Sequence, residues 1–243
     1  MSICSGVARL SQSSSESSEL LLQENEIRQM LLGWFWNNGR RFIWREKLDP
    51  FLIIVAEVLL KKTRAETVNR FLPGFLQCYG NASALSEASF EELRERLTPL
   101  GLASQRGWQL KNLGKALKDR HEGTVPCDRD ELLRLPGMGD YSVNAVLSFA
   151  YGHAEAIVDT NIARVLTRIC GIIPSHHEAR RSPEIWGIAQ RLVGDDGSTA
   201  RQINWALLDL GALVCKPKSP HCGICPLNGK CAYMSHQNGV GWD

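Results

Sequence analysis

Residues 135–168 read LPGMGDYSVNAVLSFAYGHAEAIVDTNIARVLTR, and this stretch decides the fold. Its first seven residues, Leu135-Pro136-Gly137-Met138-Gly139-Asp140-Tyr141, set two glycines in a tight turn between two helical segments. Upstream, Asp128 with Glu131 forms a capping box ahead of Leu132, Leu133 and Leu135. Downstream, Tyr141 to Tyr151 continues the helical pattern. Gly137 and Gly139 allow positive φ and remove Cβ atoms that would block a close approach. The backbone N–H groups around Met138 then open outward at the start of the next helix. That arrangement suits an anion, and on a duplex the anion is a phosphate. Taken alone, such a turn serves equally well as a plain helix–helix junction.

The helical pattern extends in both directions. Ile27, Met30, Leu31, Trp34 and Phe35 fall at i, i+3, i+4, i+7 and i+8, one apolar face of a helix. Asn37-Asn38-Gly39 ends it, and 40–45 reads as an irregular, basic connector. Pro50 opens a second helix to about Lys62 whose run from Phe51 to Leu60 is apolar except for Glu57. Further helices are expected over 67–79, from the capping box Ser89/Glu92 through Leu97, and over 105–118, 161–170, 183–193 and 202–214. No segment alternates with period 2 between turn signals. The expected fold is all-α, with nine or ten helices and no internal repeat.

The chain has 243 residues, a length for one large domain or two small ones, and can bury a core without covalent staples. Its 28 basic and 26 acidic residues leave a net charge of +2, which points to no particular polyanion or membrane partner. No run approaches the roughly 18 apolar residues of a membrane span. Residues 1–19 hold eight serines and are expected to be a disordered tail, with no secretory signal.

Eight cysteines could suggest four disulfides, but their placement argues otherwise. Four are scattered singly, while Cys215, Cys222, Cys225 and Cys231 crowd together. In a reducing interior, clustered cysteines bind metal more often than they pair. Four thiolates in a compact loop suit zinc or an iron–sulfur cluster, and only Cys222–Cys225 has the two-residue spacing usual in zinc ribbons. Around these ligands sit Lys216, Lys218, His221 and Lys230, and residues 211–231 contain no Asp or Glu. The basic charge is therefore local.

The stretch 135–168, ending in Val158-Asp159, resembles the helix-hairpin-helix and Gly/Pro-Asp region of the endonuclease III superfamily of DNA glycosylases. The resemblance runs from about Trp44-Arg45 to the C-terminal cysteines, whose spacing matches that superfamily's 4Fe–4S loop. It implies two helical domains with a DNA-binding cleft between them. A six-helix barrel with the hairpin would span 50–153, and an iron–sulfur domain would combine 20–49 with 154–234, leaving 235–243 as a tail. It implies one 4Fe–4S cluster on Cys215, Cys222, Cys225 and Cys231. The partner would be double-stranded DNA carrying a mismatched or damaged base, bound by a monomer with no membrane contact. The location would be the bacterial or archaeal nucleoid, or a eukaryotic nucleus.

Breaking an N-glycosidic bond passes through an oxocarbenium-like sugar, which needs a carboxylate and a proton donor or water activator. Asp159 opens a helix as an N-cap would, and the matching aspartate of the superfamily is catalytic. Glu57 is the sole charge in its helix; a buried carboxylate is costly unless paired, for example with Arg45, or functional. The segment Ala56-Glu57-Val58-Leu59-Leu60-Lys61-Lys62-Thr63 resembles that of adenine and thymine mismatch glycosylases, where the glutamate is catalytic. Tyr141 stands where the strand-nicking branch has a Schiff-base lysine, so hydrolysis without lyase activity is expected.

By the same resemblance, Lys62 and Leu102 correspond to wedge positions, and Gly137, Met138, Gly139, Asn161, Lys216 and Lys218 to further DNA contacts. Lys61-Lys62-Thr63, Gly101-Leu102-Ala103-Ser104-Gln105-Arg106 and the 12 residues after Cys231 look closer to thymine glycosylases acting on G:T pairs than to adenine glycosylases. Asn161 after Val158-Asp159 also fits the adenine branch, which stays as the alternative, as does a catalytically silent DNA-binding protein of the same fold.

Overall fold

The computed structural model describes residues 14–237. Thirteen α-helices and no strand occur among them. The excess over expectation comes from elements of four to six residues, too short to show a 3.6-residue period. Residues 1–13 and 238–243, parts of the two expected tails, lie outside the described residues. The first helix, α1 (Ser14–Asn38), already includes serines expected to be disordered. At the other end, Ala232–Gln237 is helical where a tail was expected from 235.

Chain contacts divide the protein into two compact units, with boundaries after Arg40 and after Tyr151. The unit Arg41–Tyr151 contains α2 (Ile43–Glu46), α3 (Pro50–Leu60), α4 (Ala65–Cys78), α5 (Ala82–Glu87), α6 (Phe90–Leu97), α7 (Ala103–His121), α8 (Arg129–Leu133) and α9 (Asp140–Phe149). Part of the expected connector is thus the short α2, whose Trp44 is buried and stacks on Phe42 at 4.7 Å. Asp49 accepts from the Leu52 N–H at 2.7 Å and, with Pro50, starts α3. Every residue from Leu52 to Leu59 is buried, and each large apolar side chain there contributes about 1.5–3 kcal/mol. This helix packs on α4, α7 and α9. Ser89 and Glu92 form the expected reciprocal capping box at α6. At α8 only the forward half is seen, the Asp128 carboxylate accepting from the Glu131 N–H at 3.0 Å.

The other unit holds α1, α10 (Thr160–Cys170), α11 (Pro183–Val193), α12 (Gly197–Leu213) and α13 (Ala232–Gln237). The central α12 packs on α1, α10 and α11. Residues 154–158 carry the chain into α10 without helical hydrogen bonds of their own. Two side-chain amides supply the partners instead. Gln190 accepts from the Ala156 N–H and donates to the Ala154 carbonyl, at 3.0 and 2.7 Å. Asn204, fully buried, accepts from the Ile157 N–H and donates to the Glu155 carbonyl, at 3.2 and 2.8 Å.

Arg40, expected in the basic connector, turns inward. Its backbone N–H and its guanidinium Nε both donate to the Asp209 carboxylate on α12, each at 2.7 Å. Asp209 is completely buried. Removing one partner of a buried pair strands the other charge, which costs about 3–5 kcal/mol. Arg40→Ala is expected to lower unfolding stability by about 3 kcal/mol in a denaturant titration, the lower end because the backbone donor survives. A loss under about 1 kcal/mol would show the pair to be dispensable.

Candidate active site and cysteine loop

The hairpin closes through the Met138 N–H donating to the Leu135 carbonyl at 3.2 Å. Gly137 has φ +82°, and a Cβ there would press on the Gln109 side chain at 3.1 Å. Gly139 differs from expectation: its φ is −133°, ordinary extended backbone, and it caps the N-terminus of α9. A Cβ at Gly139 would meet nothing within the protein, so the fold itself does not demand glycine there.

The Gly137 carbonyl accepts from the Lys61 ammonium. Lys61 follows the last turn of α3, four residues beyond Glu57, which is 5% exposed among apolar neighbours. Burial pulls the Lys61 pKa below the usual lysine value, and the Glu57 carboxylate partly counters that pull. Glu57, Lys61 and the hairpin are therefore brought together. Tyr141 sits in the first turn of α9, half-buried, and α9 packs on α3. Lys62 and Leu102, both exposed, adopt left-handed backbone with φ of 58° and 50°, a conformation uncommon outside glycine.

In the other unit Asp159 caps α10. Its Oδ1 accepts from the Asn161 and Ile162 N–H groups at 2.9 and 2.7 Å, and its Oδ2 from Asn161 Nδ2 at 3.0 Å. Asn161 Oδ1 in turn accepts from Arg164 at 3.0 Å. Arg164 also donates to the carbonyls of Cys215 and Gly211, at 2.9 and 2.8 Å. The cap and the cysteine loop thus hang on one helix.

Cys215, Cys222, Cys225 and Cys231 line a single cavity with Val165, Ile169, Leu210 and Leu227. Arg168 donates to Cys215 Sγ at 3.4 Å and to the Lys216 and Pro217 carbonyls at 2.7 and 3.0 Å. Burial raises the thiol pKa of Cys222 and Cys231, and pushes that of Cys225 up to about 11. Binding metal here means displacing those protons. Among the described residues, no three Cys, His, Asp or Glu side chains converge closely enough to share one ion. A zinc site would hold its sulfurs about 3.8 Å apart, given a Zn–S bond of ~2.3 Å. Four thiols lining one cavity suit a polynuclear cluster, with apolar walls and an N–H···S bond from Arg168 of the kind that tunes it.

Lys216 is half-buried and Lys218 exposed on this loop. Lys230 is already paired with Glu26 at 2.5 Å, so the basic patch is smaller than its sequence suggested. Sequence reasoning gave no role to Lys61, Arg164 or Arg168. Lys61 carried one signal, its i+4 spacing from a buried glutamate.

Comparison with known proteins places these features in context. The HhH-GPD superfamily base excision DNA repair protein family matches residues 55–191, and the iron-sulfur binding domain of endonuclease III matches residues 215–231. The chain is similar to a thymine-DNA glycosylase of Aeropyrum pernix, 37% identical over 86% of this chain and 95% of that protein. A thymine/uracil-DNA glycosylase of Pyrobaculum aerophilum is 36% identical over 88% and 94%. The human adenine DNA glycosylase is 33% identical over 84% of this chain but 39% of its own length. Among solved structures, a thermostable thymine-DNA glycosylase superposes with a TM-score of 0.79 at 30% identity, covering 88% of this chain and 97% of that one.

Metal analysis of protein purified without air is expected to give four irons and four sulfides per chain. One zinc per chain would contradict the polynuclear site. Cys225→Ser is expected to lose most of the iron.

Proposed function

The chain belongs to the HhH-GPD superfamily of base excision DNA repair proteins, and from that premise we propose that it excises thymine or uracil paired with guanine. It is a DNA glycosylase that hydrolyses the N-glycosidic bond. The observation that carries the choice of base is the near end-to-end match to thymine and thymine/uracil glycosylases. Tyr141, in place of an amine, supports release of an abasic site without strand cleavage.

The residues take the following parts. The open face of Gly139 and the N–H groups of Gly137 and Gly139, at the start of α9, receive a backbone phosphate. Lys216, Lys218 and Asn161 add contacts to the DNA. Extruding the base costs a few kcal/mol, least at a mismatch. Lys62 and Leu102 occupy the space it leaves. Asp159, held by three donors, faces the sugar as positive charge develops at C1′. Glu57 exchanges the proton that accompanies departure of the base and attack of water. Tyr141 has no amine with which to form a Schiff base, so water is the nucleophile. Cys215, Cys222, Cys225 and Cys231 would hold the 4Fe–4S cluster, and so tie down the loop carrying Lys216 and Lys218. The protein acts as a monomer on double-stranded DNA, and no described helix is long and apolar enough to cross a membrane.

Labelled duplexes carrying G:T, G:U, A:G, A:8-oxoguanine and hypoxanthine, treated with alkali after incubation, test this reading. Cleavage is expected for G:T and G:U, and only after alkali. Preference for A opposite G or 8-oxoguanine would favour the adenine alternative. Cleavage before alkali would contradict the hydrolytic mechanism, and no cleavage at all would leave a silent DNA-binding protein. Glu57→Gln is expected to slow G:T excision by about 100-fold or more, measured in single turnover.

A further inference from the structure

Arg106, near the start of α7, is 1% exposed and the bulkiest of the fully buried side chains. Its guanidinium is spent on five acceptors in two loops. One terminal nitrogen donates to the carbonyls of Leu100 and Gly101, at 2.7 and 2.6 Å. The other donates to the carbonyls of Leu59 and Lys61 and to Thr63 Oγ1, at 2.9, 2.5 and 2.6 Å. The Thr63 hydroxyl continues the bridge to the Leu100 carbonyl at 3.3 Å. Four of these acceptors are carbonyls at the C-terminal ends of α3 and of the 3-10 turn Thr98–Leu100. Such ends carry partial negative charge, which makes a buried cation tolerable there. Burial lowers the Arg106 pKa, yet a guanidinium keeps its proton in proteins.

A buried cation is a costly way to fill a core. Each fastened loop also presents an exposed, non-glycine residue in left-handed backbone: Lys62 with φ 58° and Leu102 with φ 50°. Leu102 is 44% exposed, so packing does not hold it there. Strained conformations persist only where the surroundings over-determine them, and here the fork of Arg106 does so for both loops at once.

We propose that Arg106 is a positioning residue that locks the 60–63 and 100–102 loops into one preformed wedge, so that Lys62 and Leu102 enter the duplex as a unit. The proposal rests on the reading above in which these two side chains fill the gap left by the extruded base. Its consequence is selective. The wedge matters where a base must be pulled from a stacked pair and matters little where the base is already unpaired.

The test compares single-turnover uracil release from a G:U duplex and from uracil within a short unpaired bubble. Arg106→Lys keeps the charge and most of the stem but loses the planar fork. It is expected to slow the duplex reaction by about 10-fold while leaving the bubble reaction within about 3-fold. Leu102→Ala should give the same selective loss, and the double variant should be little worse than the poorer single one. Thr63→Val, which removes one acceptor and leaves Arg106 in place, should give a smaller loss of the same kind, and decides the matter if Arg106→Lys does not fold. An equal loss on both substrates would overturn the proposal. Fluorescence of 2-aminopurine beside the mismatch reads extrusion without turnover. It should rise on binding of the unmodified protein and rise less with Arg106→Lys; an equal rise would also overturn it. Because this readout needs no turnover, it decides the clamp even if the protein releases no uracil, an outcome that would count against the proposed activity alone.

Discussion

A single carboxylate closes the N-terminus of α10 and stays half-buried there. Asp159 satisfies two of the helix's open N–H groups, and its second oxygen is pinned by Asn161. Because it is the cap, it has little freedom to turn away. The helix it starts then carries Asn161, Arg164 and Arg168, which lead residue by residue to the cysteine loop. Gly211 lets α12 approach closely enough: a Cβ there would stand 2.8 Å from the Asn161 Cβ. The chain entering the cap is fixed by Gln190 and Asn204. The position of one side chain thus depends on α10, α11 and α12 together.

The second unit shows the same use of buried polar groups against an apolar background. Its α3 is a hydrophobic rod whose cargo is Glu57. The end of that rod is tied to the hairpin by Lys61 and to the 100–102 loop by Arg106. Arg106 is fully buried and Lys61 half-buried, and Arg106 uses carbonyl oxygens that a helix end would otherwise leave to water. The unit gives up some of the stability an apolar core would provide and gains fixed positions for the groups around its hairpin.

Much of this was legible in the chain itself. Pro50 and the run to Leu60 marked α3, Ser89 with Glu92 marked α6, and the spacing of the four cysteines marked the cluster loop. The unread parts share a physical cause. An arginine on an amphipathic helix has the same sequence signature whether it is solvated, as a surface residue, or folded back like Arg106 and Arg168. Arg40 counted toward a basic connector and Lys230 toward a basic loop because their partners, Asp209 and Glu26, are distant in sequence. Gly139 looked like a strained turn glycine, yet its backbone is extended. The chain's net charge of +2 also conceals how its basic groups are used, several of them holding carbonyls inside the fold.

The central claim is that the Asp159 carboxylate, beyond capping α10, supplies the charge that stabilises the departing sugar. Asparagine caps a helix about as well as aspartate, so Asp159→Asn keeps the two backbone hydrogen bonds of the cap, forfeits the one from Asn161 Nδ2, and removes the charge. The deciding measurement is single-turnover thymine release from a G:T duplex by this variant, alongside its affinity for the same DNA. The rate is expected to be at least about 100-fold lower with affinity little changed. A rate close to that of the unmodified protein would contradict it.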